Sequence, residues 1–257
     1  MADEVLYEVE GRIAVITLNR PEARNAVNGA MATMMNDIMH RFENDPKVWV
    51  AILTGAGSRA FSAGADLKVM ASDGVQCIET EEGGFGGFAH FPRTKPVIAA
   101  VNGVALAGGT ELVLACDLVV AVEEAEFGLP EVAWGTIAAG GGLFRLPCTL
   151  PRGRAIELIL TAERIGACEA HQFGLVNYVV PAADLMQTAK RIATRICANA
   201  PIAVRESLAI ARSAYELSEE EAWARSAEAL ARVMQTADAK EGPRAFAEKR
   251  EPKWIGH

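Results

Sequence analysis

No run of about twenty apolar residues occurs in the 257-residue chain, so no segment is suited to cross a membrane as a helix. The opening stretch MADEVLYEVEGR is acidic and lacks an apolar core, so no secretory leader is expected and the cytoplasm is the expected compartment. Cysteine is sparse: Cys77, Cys116, Cys148, Cys168 and Cys197 are odd in number and scattered, with no CxxC pair. That pattern argues against a disulfide framework and for small apolar fillers in a reducing compartment. Basic residues are outnumbered, 25 Lys and Arg against 33 Asp and Glu, for a formal charge of −8. Such a balance leaves no footprint for nucleic acid or an anionic membrane, although a local basic site could still receive a phosphorylated ligand.

The usual signatures of several enzyme classes are missing too. His40, His90, His171 and His257 form no pair at metal-ligand spacing and no cysteine joins them, so no metal centre is expected. No glycine cluster is followed by GK[ST], and no GxSxG elbow is present. TGAGSRAF follows a strand-like run but lacks the third glycine of a dinucleotide-binding turn, and no helix begins there.

What is present is a repeated strand, glycine turn and helix. VLYEVEGR and IAVITLNR are β-rich runs separated by Glu10-Gly11, a hairpin signal. The stretch from Pro21 to Pro46 carries Met31, Met34, Met35, Ile38 and Phe42 at helical spacing and predicts a helix with those residues in the core. VWVAILTGAG predicts a buried strand, and FSAGADLKVM turns into a short helix. Residues 71–93 are glycine-rich and dotted with aromatics, suiting a mobile lid or a pocket wall. PVIAAVNG leading into VALAGGTELVLACD, and LVVAVEEAEFG leading into LPEVAWGTIAAGGG, restate the theme without a strict period. From Ala182 onward the pattern is almost wholly helical, with Pro201 dividing two helices and a charged helix near the end. The length suits one large domain or a core with an appendage. The expected division is an α/β core over 1–199 and a helical region over 200–257 for assembly.

Two glutamates stand out against this background. Glu111 follows the glycine pair of LAGGTEL and is expected near a helix N-terminus, where free backbone N–H groups can hold negative charge. Glu131 follows a proline and precedes a glycine-rich stretch that could approach a ligand closely. The glycine-bearing turns SAGADLK and LAGGTEL could bring two N–H donors onto one oxygen as an oxyanion hole. Spacing alone leaves the bland alternatives open. The turns could be simple connections, Glu111 could serve only the helix dipole, and Glu131 could face water. The two turns together with two carboxylates favour proton transfer beside a polarised carbonyl.

At this point the chain resembles the crotonase (enoyl-CoA hydratase/isomerase) superfamily nearly end to end. LNRPEARNAV, AILTGAGSRAFSAGADLK, KPVIAAVNGVALAGGTELVLACD, AEFGLPEVAWGTI and AFAEKR fall in the family's order, and the separation of 20 between Glu111 and Glu131 is that of its two-glutamate hydratases. The resemblance implies a spiral of ββα turns followed by a helical C-terminal region that builds homotrimers or hexamers. It implies that the N–H groups of Ala65 and Gly108 hold a thioester oxygen. It also implies that Ala63, Ala65, Asp66, Leu67 and Lys68 line a coenzyme A site with Arg24 near its phosphates. Phe246 and Lys249 match positions that complete that site, in many members from a neighbouring subunit.

Met70 and Trp134 are expected at the acyl pocket, though Trp134 could equally be a buried packing residue. Glu111 is expected to activate a water and Glu131 to supply or take the α-proton, with the roles exchangeable because coupled carboxylates titrate as a pair. Coenzyme A enters as part of the substrate, and no other cofactor or metal is implied.

EEGGFGGFAHF, FGLPEVAWG, RLPCTLP and the ending EGPRAFAEKREPKWIG are similar to carnitinyl-CoA (crotonobetainyl-CoA) dehydratases, and the ending also to bacterial hydratases of other enoyl-CoAs. Departures from the family pattern are Thr110, Ala107 in place of a third glycine, and GTIAAGGG without the usual proline. Isomerisation on the same fold needs one base, so two retained glutamates favour hydration. A dehalogenase would want an aspartate where Glu131 stands. An RNA-binding or non-catalytic homologue is the reading from another class, and the net charge of −8 weighs against RNA.

Overall fold

The structure is a computed structural model describing residues 3–257. In chain order its strands are β1 (Val5–Glu10), β2 (Ile13–Leu18), β3 (Val50–Gly55), β4 (Ala60–Ser62), β5 (Glu79–Thr80), β6 (Gly84–Phe85), β7 (Val97–Val101), β8 (Val104–Leu106), β9 (Leu118–Val122), β10 (Glu126–Gly128), β11 (Arg164–Gly166) and β12 (Tyr178–Val180). The α-helices are α1 (Gly29–Asn44), α2 (Leu67–Asp73), α3 (Gly108–Ala115), α4 (Gly142–Thr149), α5 (Arg152–Thr161), α6 (Ala167–Gln172), α7 (Leu185–Cys197), α8 (Pro201–Arg212), α9 (Glu219–Met234) and α10 (Ala237–Glu248).

Ten of these strands form two sheets, and β5 and β6 pair as a separate antiparallel hairpin. The larger runs β1-β2-β3-β7-β9-β12, parallel throughout except for the β1–β2 hairpin. The smaller runs β11-β10-β8-β4, with β10, β8 and β4 parallel and β11 antiparallel. The chain passes from the large sheet to the small one at β3–β4, β7–β8 and β9–β10, giving one strand to each sheet per turn of a spiral. Every residue of β3 and β7 is buried, which explains why VAILTG and VIAAV read as continuous apolar runs rather than alternating ones. Helix α7 lays Leu185, Ala189, Ile192 and Ala193 against the large sheet. Arg212 at the end of α8 holds Asp117 through Nε at 2.7 Å and Nη2 at 2.8 Å, tying the helical layer to the start of β9.

The helix expected from Pro21 begins later. Pro21–Ala23 forms a single 3-10 turn, and Arg24 and Asn25 then take left-handed φ values of 53°. Helix α1 starts at Gly29, where Asn28 Oδ1 accepts the Met31 N–H at 2.8 Å. The break lets the buried Asn25 amide donate to the carbonyls of Ala56 (3.0 Å) and Ala60 (2.9 Å), pinning the segment to the approach to β4. Of the residues expected in its core, Met31, Met35, Ile38 and Phe42 are buried, whereas Met34 is only half-buried against the core, where its Sδ accepts the Val5 N–H at 3.3 Å. Residues 71–93 fold into the end of α2, a 3-10 turn and the β5–β6 hairpin, and bury Ile78, Phe85, Phe88 and Phe91. They form a wall.

Candidate active site

Three parallel strands of the small sheet end side by side, and each is followed by one of the turns singled out in the sequence. Ala65 follows β4, Gly108 and Glu111 follow β8, and Glu131 follows β10. Loops beyond the C-terminal ends of parallel strands converge where a ligand can sit.

The first turn frees a backbone donor. Val27 N–H donates to Gly64 O at 2.7 Å and Asp66 N–H donates to Val27 O at 2.8 Å, a parallel bridge that uses the groups on either side of Ala65. The Ala65 N–H is left without a partner among the described residues. In the second turn Ala107 N–H donates to Gly128 O at 2.9 Å, while Gly108, the first residue of α3, has an N–H with no partner among the described residues. Ala107 adopts φ 51° and ψ −129°, a conformation normally left to glycine and costing about 1–3 kcal/mol. The two turns touch. A Cβ built on Gly64 would stand 2.9 Å from Gly108 N and 2.9 Å from Ala107 Cβ, so only glycine permits this approach. Two unpartnered N–H groups at meeting turns can hold an oxygen that gains negative charge.

Helix α3 places Glu111 in its first turn, buried to 3% exposure. Its Oε1 accepts the Gly142 N–H at 2.9 Å. Burial pushes the Glu111 carboxyl above its usual range, while N–H groups of Gly142 and Gly140 and the charge of Arg145 pull it back, and Glu79 pushes it up. Glu131 stands in the 3-10 turn Pro130–Trp134, which Pro130 opens without losing a needed donor. It is 9% exposed, and its Oε2 has no hydrogen-bond partner among the described residues. Burial, then the neighbouring charge of Glu111, raises its pKa to about 7, against a pull from its own backbone N–H. Both carboxyls are thus raised, but Glu111 is cradled by N–H donors whereas one oxygen of Glu131 has none, so two adjacent acids sit in different surroundings.

The remaining expected residues fall into two groups. Ala63 N–H donates to Arg24 O at 3.0 Å, so Arg24 and the segment 63–68 adjoin, with Arg24, Leu67 and Lys68 exposed. Asp66 caps α2 through the Lys68 N–H (3.2 Å) and pairs with Arg20 Nη1 at 3.0 Å. Met70 is half-buried against the core, whereas Trp134 is 74% exposed and is no core residue. Phe246, 87% exposed, and Lys249 lie at the end of α10, whose packing is on α9 and near Trp254.

The structure adds residues that sequence reasoning did not single out. The Phe85 ring lies against Gly108, occupying the space a Cβ there would need. Gly140 and Gly142 seat Glu111, and the glycine run after Glu131 was the available signal for them. Nothing in the sequence alone marks Arg145.

The family described as Enoyl-CoA hydratase/isomerase matches residues 8–257. A carnitinyl-CoA dehydratase of Proteus mirabilis is 41% identical over 261 residues that cover all of both chains. Among solved structures, an enoyl-CoA hydratase from Mycobacterium tuberculosis H37Rv superposes with a TM-score of 0.95 at 44% identity, covering all of both chains. A carnitinyl-CoA hydratase from Mycobacterium avium superposes at 0.78 with 46% identity over the same full coverage. The two-sheet spiral, the full-length match and these relatives agree: the chain belongs to the enoyl-CoA hydratase/isomerase (crotonase) family.

Proposed function

We propose that the protein catalyses the reversible addition of water to an α,β-unsaturated acyl-CoA thioester, with Glu111 and Glu131 as the proton-transferring pair. The observation that carries the reading is the buried, unpartnered Glu131 oxygen with a pKa near 7, facing the charge of Glu111 on the adjacent turn. Ala65 and Gly108 are assigned to the thioester oxygen because their N–H groups are free where the two turns meet. Oxygen held there withdraws electrons from the double bond and makes the β-carbon electrophilic. Glu111 removes a proton from water as it attacks, and Glu131 delivers its proton to the α-carbon. The reverse steps expel water. Hydration changes no overall oxidation level and needs no redox partner, and no metal is required when N–H donors carry the oxyanion. An isomerase needs a single base, so the second buried carboxylate favours hydration.

The coenzyme is assigned to Arg24 and the segment 63–68, with Phe246 and Lys249 completing the pocket of a neighbouring copy. Residues 1–199 are taken as the catalytic core and 200–257 as the assembling region in a trimer or hexamer. The exposed Trp223, Leu230 and Met234 of α9 support that reading, and light scattering after size exclusion tests it. Among the described residues no helix is long and apolar enough to cross a membrane. All five cysteines are unpaired, which suits a reducing cytoplasm.

Incubation with crotonyl-CoA, crotonobetainyl-CoA and a bulky enoyl-CoA, followed by loss of the conjugated-thioester absorbance, tests the reaction and ranks the acyl groups. A protein that binds coenzyme A yet turns over none of them is not a hydratase.

A further inference from the structure

We infer that Arg145 is a positioning residue for the water-activating carboxylate: its guanidinium ties the Gly140–Gly142 turn to the Ala89 segment and thereby fixes the seat and charge of Glu111. The inference rests on the reading of Glu111 as the group that activates water. Arg145, on α4, donates from Nη2 to Ala89 O at 2.7 Å and from Nη1 to Gly140 O at 3.3 Å. Between the two tethered glycines, Gly141 takes φ 113°, and a Cβ there would collide with Arg145 Nη1. The turn is therefore wrapped closely on the guanidinium. From that turn Gly142 N–H reaches Glu111 Oε1 at 2.9 Å, and a Cβ on Gly140 would stand 2.7 Å from Glu111 Oε2. The same hypothetical Cβ would stand 3.1 Å from Phe85 Cβ, so the turn is also packed on the wall that faces Gly108. One planar fork thus joins the wall to the glycine turn that in turn seats the carboxylate, which a lysine ammonium cannot reproduce.

Charge acts in the same direction as geometry. Glu111 feels Arg145 as an attraction, Glu79 as a repulsion and its own burial as a penalty on ionisation. Glu131, the neighbouring acid, is itself raised by burial first and by the charge of Glu111 after that. Burial and then the charge of Arg93 oppose ionisation of Arg145, Glu111 favours it, and the Cys116 thiol, pushed by burial up to about 12, stays neutral. A guanidinium remains charged under these pressures.

The experiment compares wild type, Arg145→Lys and Arg145→Met in kcat and KM across pH. It also follows the Glu111 carboxyl by carbon-13 NMR titration, with Glu131→Gln used for assignment. Arg145→Met is expected to lose about 10–100-fold in kcat, the scale of a reacting group displaced by an ångström, with KM changed less than threefold. Its acid limb and the Glu111 titration should both move to higher pH. Arg145→Lys should restore the position of the acid limb while kcat remains reduced, because charge returns without the fork. A Met variant with wild-type kcat and an unmoved Glu111 titration overturns the inference. Should the Met variant fail to fold, wild-type kcat in Arg145→Lys overturns the tether on its own. If wild type hydrates no enoyl-CoA the proposed function fails, yet the Glu111 titration still reports on Arg145.

Discussion

Thr110 and Gly128 are bonded to each other in both directions. Gly128 N–H donates to Thr110 Oγ1 at 3.1 Å, and that hydroxyl lies 2.8 Å from Gly128 O and 2.8 Å from Ala105 O, its one proton serving the pair of carbonyls. Thr110 immediately precedes Glu111, and Gly128 stands three residues before Glu131. The buried hydroxyl therefore clamps the ends of β8 and β10 together and sets the two carboxylates relative to one another.

Replacing Thr110 with Val removes the hydroxyl and strands the Gly128 N–H in the interior. The expected loss of stability is about 1–3 kcal/mol, read from urea unfolding. Turnover should fall with it, and Thr110→Ser should retain both because the hydroxyl is kept. A Val variant as stable and active as wild type would show that the clamp is dispensable.

Glu111→Gln and Glu131→Gln should each keep the fold and coenzyme binding while losing about 10²–10⁴-fold in turnover, the range for a positioned acid or base. Near-native far-UV circular dichroism and coenzyme affinity, measured beside kcat, separate this from misfolding. Variants as active as wild type would make these carboxylates bystanders.

The pH profile follows from the shared proton. Hydration takes up no net proton, so the equilibrium is independent of pH and kcat/KM must follow the same profile in both directions. The active form holds one proton on the carboxylate pair. Loss of that proton, from Glu131 at about pH 7, should bring both profiles down at higher pH. A profile flat from pH 6 to 9 would contradict the assignment.

Stability carries the same signature. The folded pKa of Glu131, about 7, lies above its ordinary 4.5, so the fold favours the neutral form. The ionisation penalty is absent below the unfolded value, grows as pH rises towards 7 and is constant beyond it. Glu131→Gln should therefore become more stable than wild type by on the order of 2–3 kcal/mol at pH 8 relative to pH 4. Denaturant unfolding at the two pH values measures this.

Two glycines are predicted to matter through space rather than flexibility. Gly108→Val drives its side chain into Phe85 and closes the turn, and the expected loss is about 10²–10³-fold in kcat, that of one oxyanion donor. Gly140→Ala puts a methyl 2.7 Å from Glu111 Oε2 and should displace the carboxylate, lowering kcat more than it raises KM. Normal turnover in either variant would remove that glycine from the site.

Local chemistry decided much of this protein before folding. The almost wholly apolar β3 and β7 runs demand burial on both faces, Gly64 allows an approach to Gly108 that any Cβ would block, and Gly108 leaves room for the Phe85 ring. Ordered motifs from LNRPEARNAV to AFAEKR were enough to identify the family, with Glu111 and Glu131 legible at their separation of 20. The late start of α1 was not legible, because it depends on Asn25 reaching Ala56 and Ala60 across 31 and 35 residues. Nor was the role of Phe85 as a wall for Gly108, or of Arg145 as the tether of the Gly140 turn. Residue type and spacing record what a segment can do with its near neighbours. Only the packing of β4, β8 and β10 side by side decided which distant groups meet, and burial there, absent from any isolated segment, raised the Glu131 pKa to about 7.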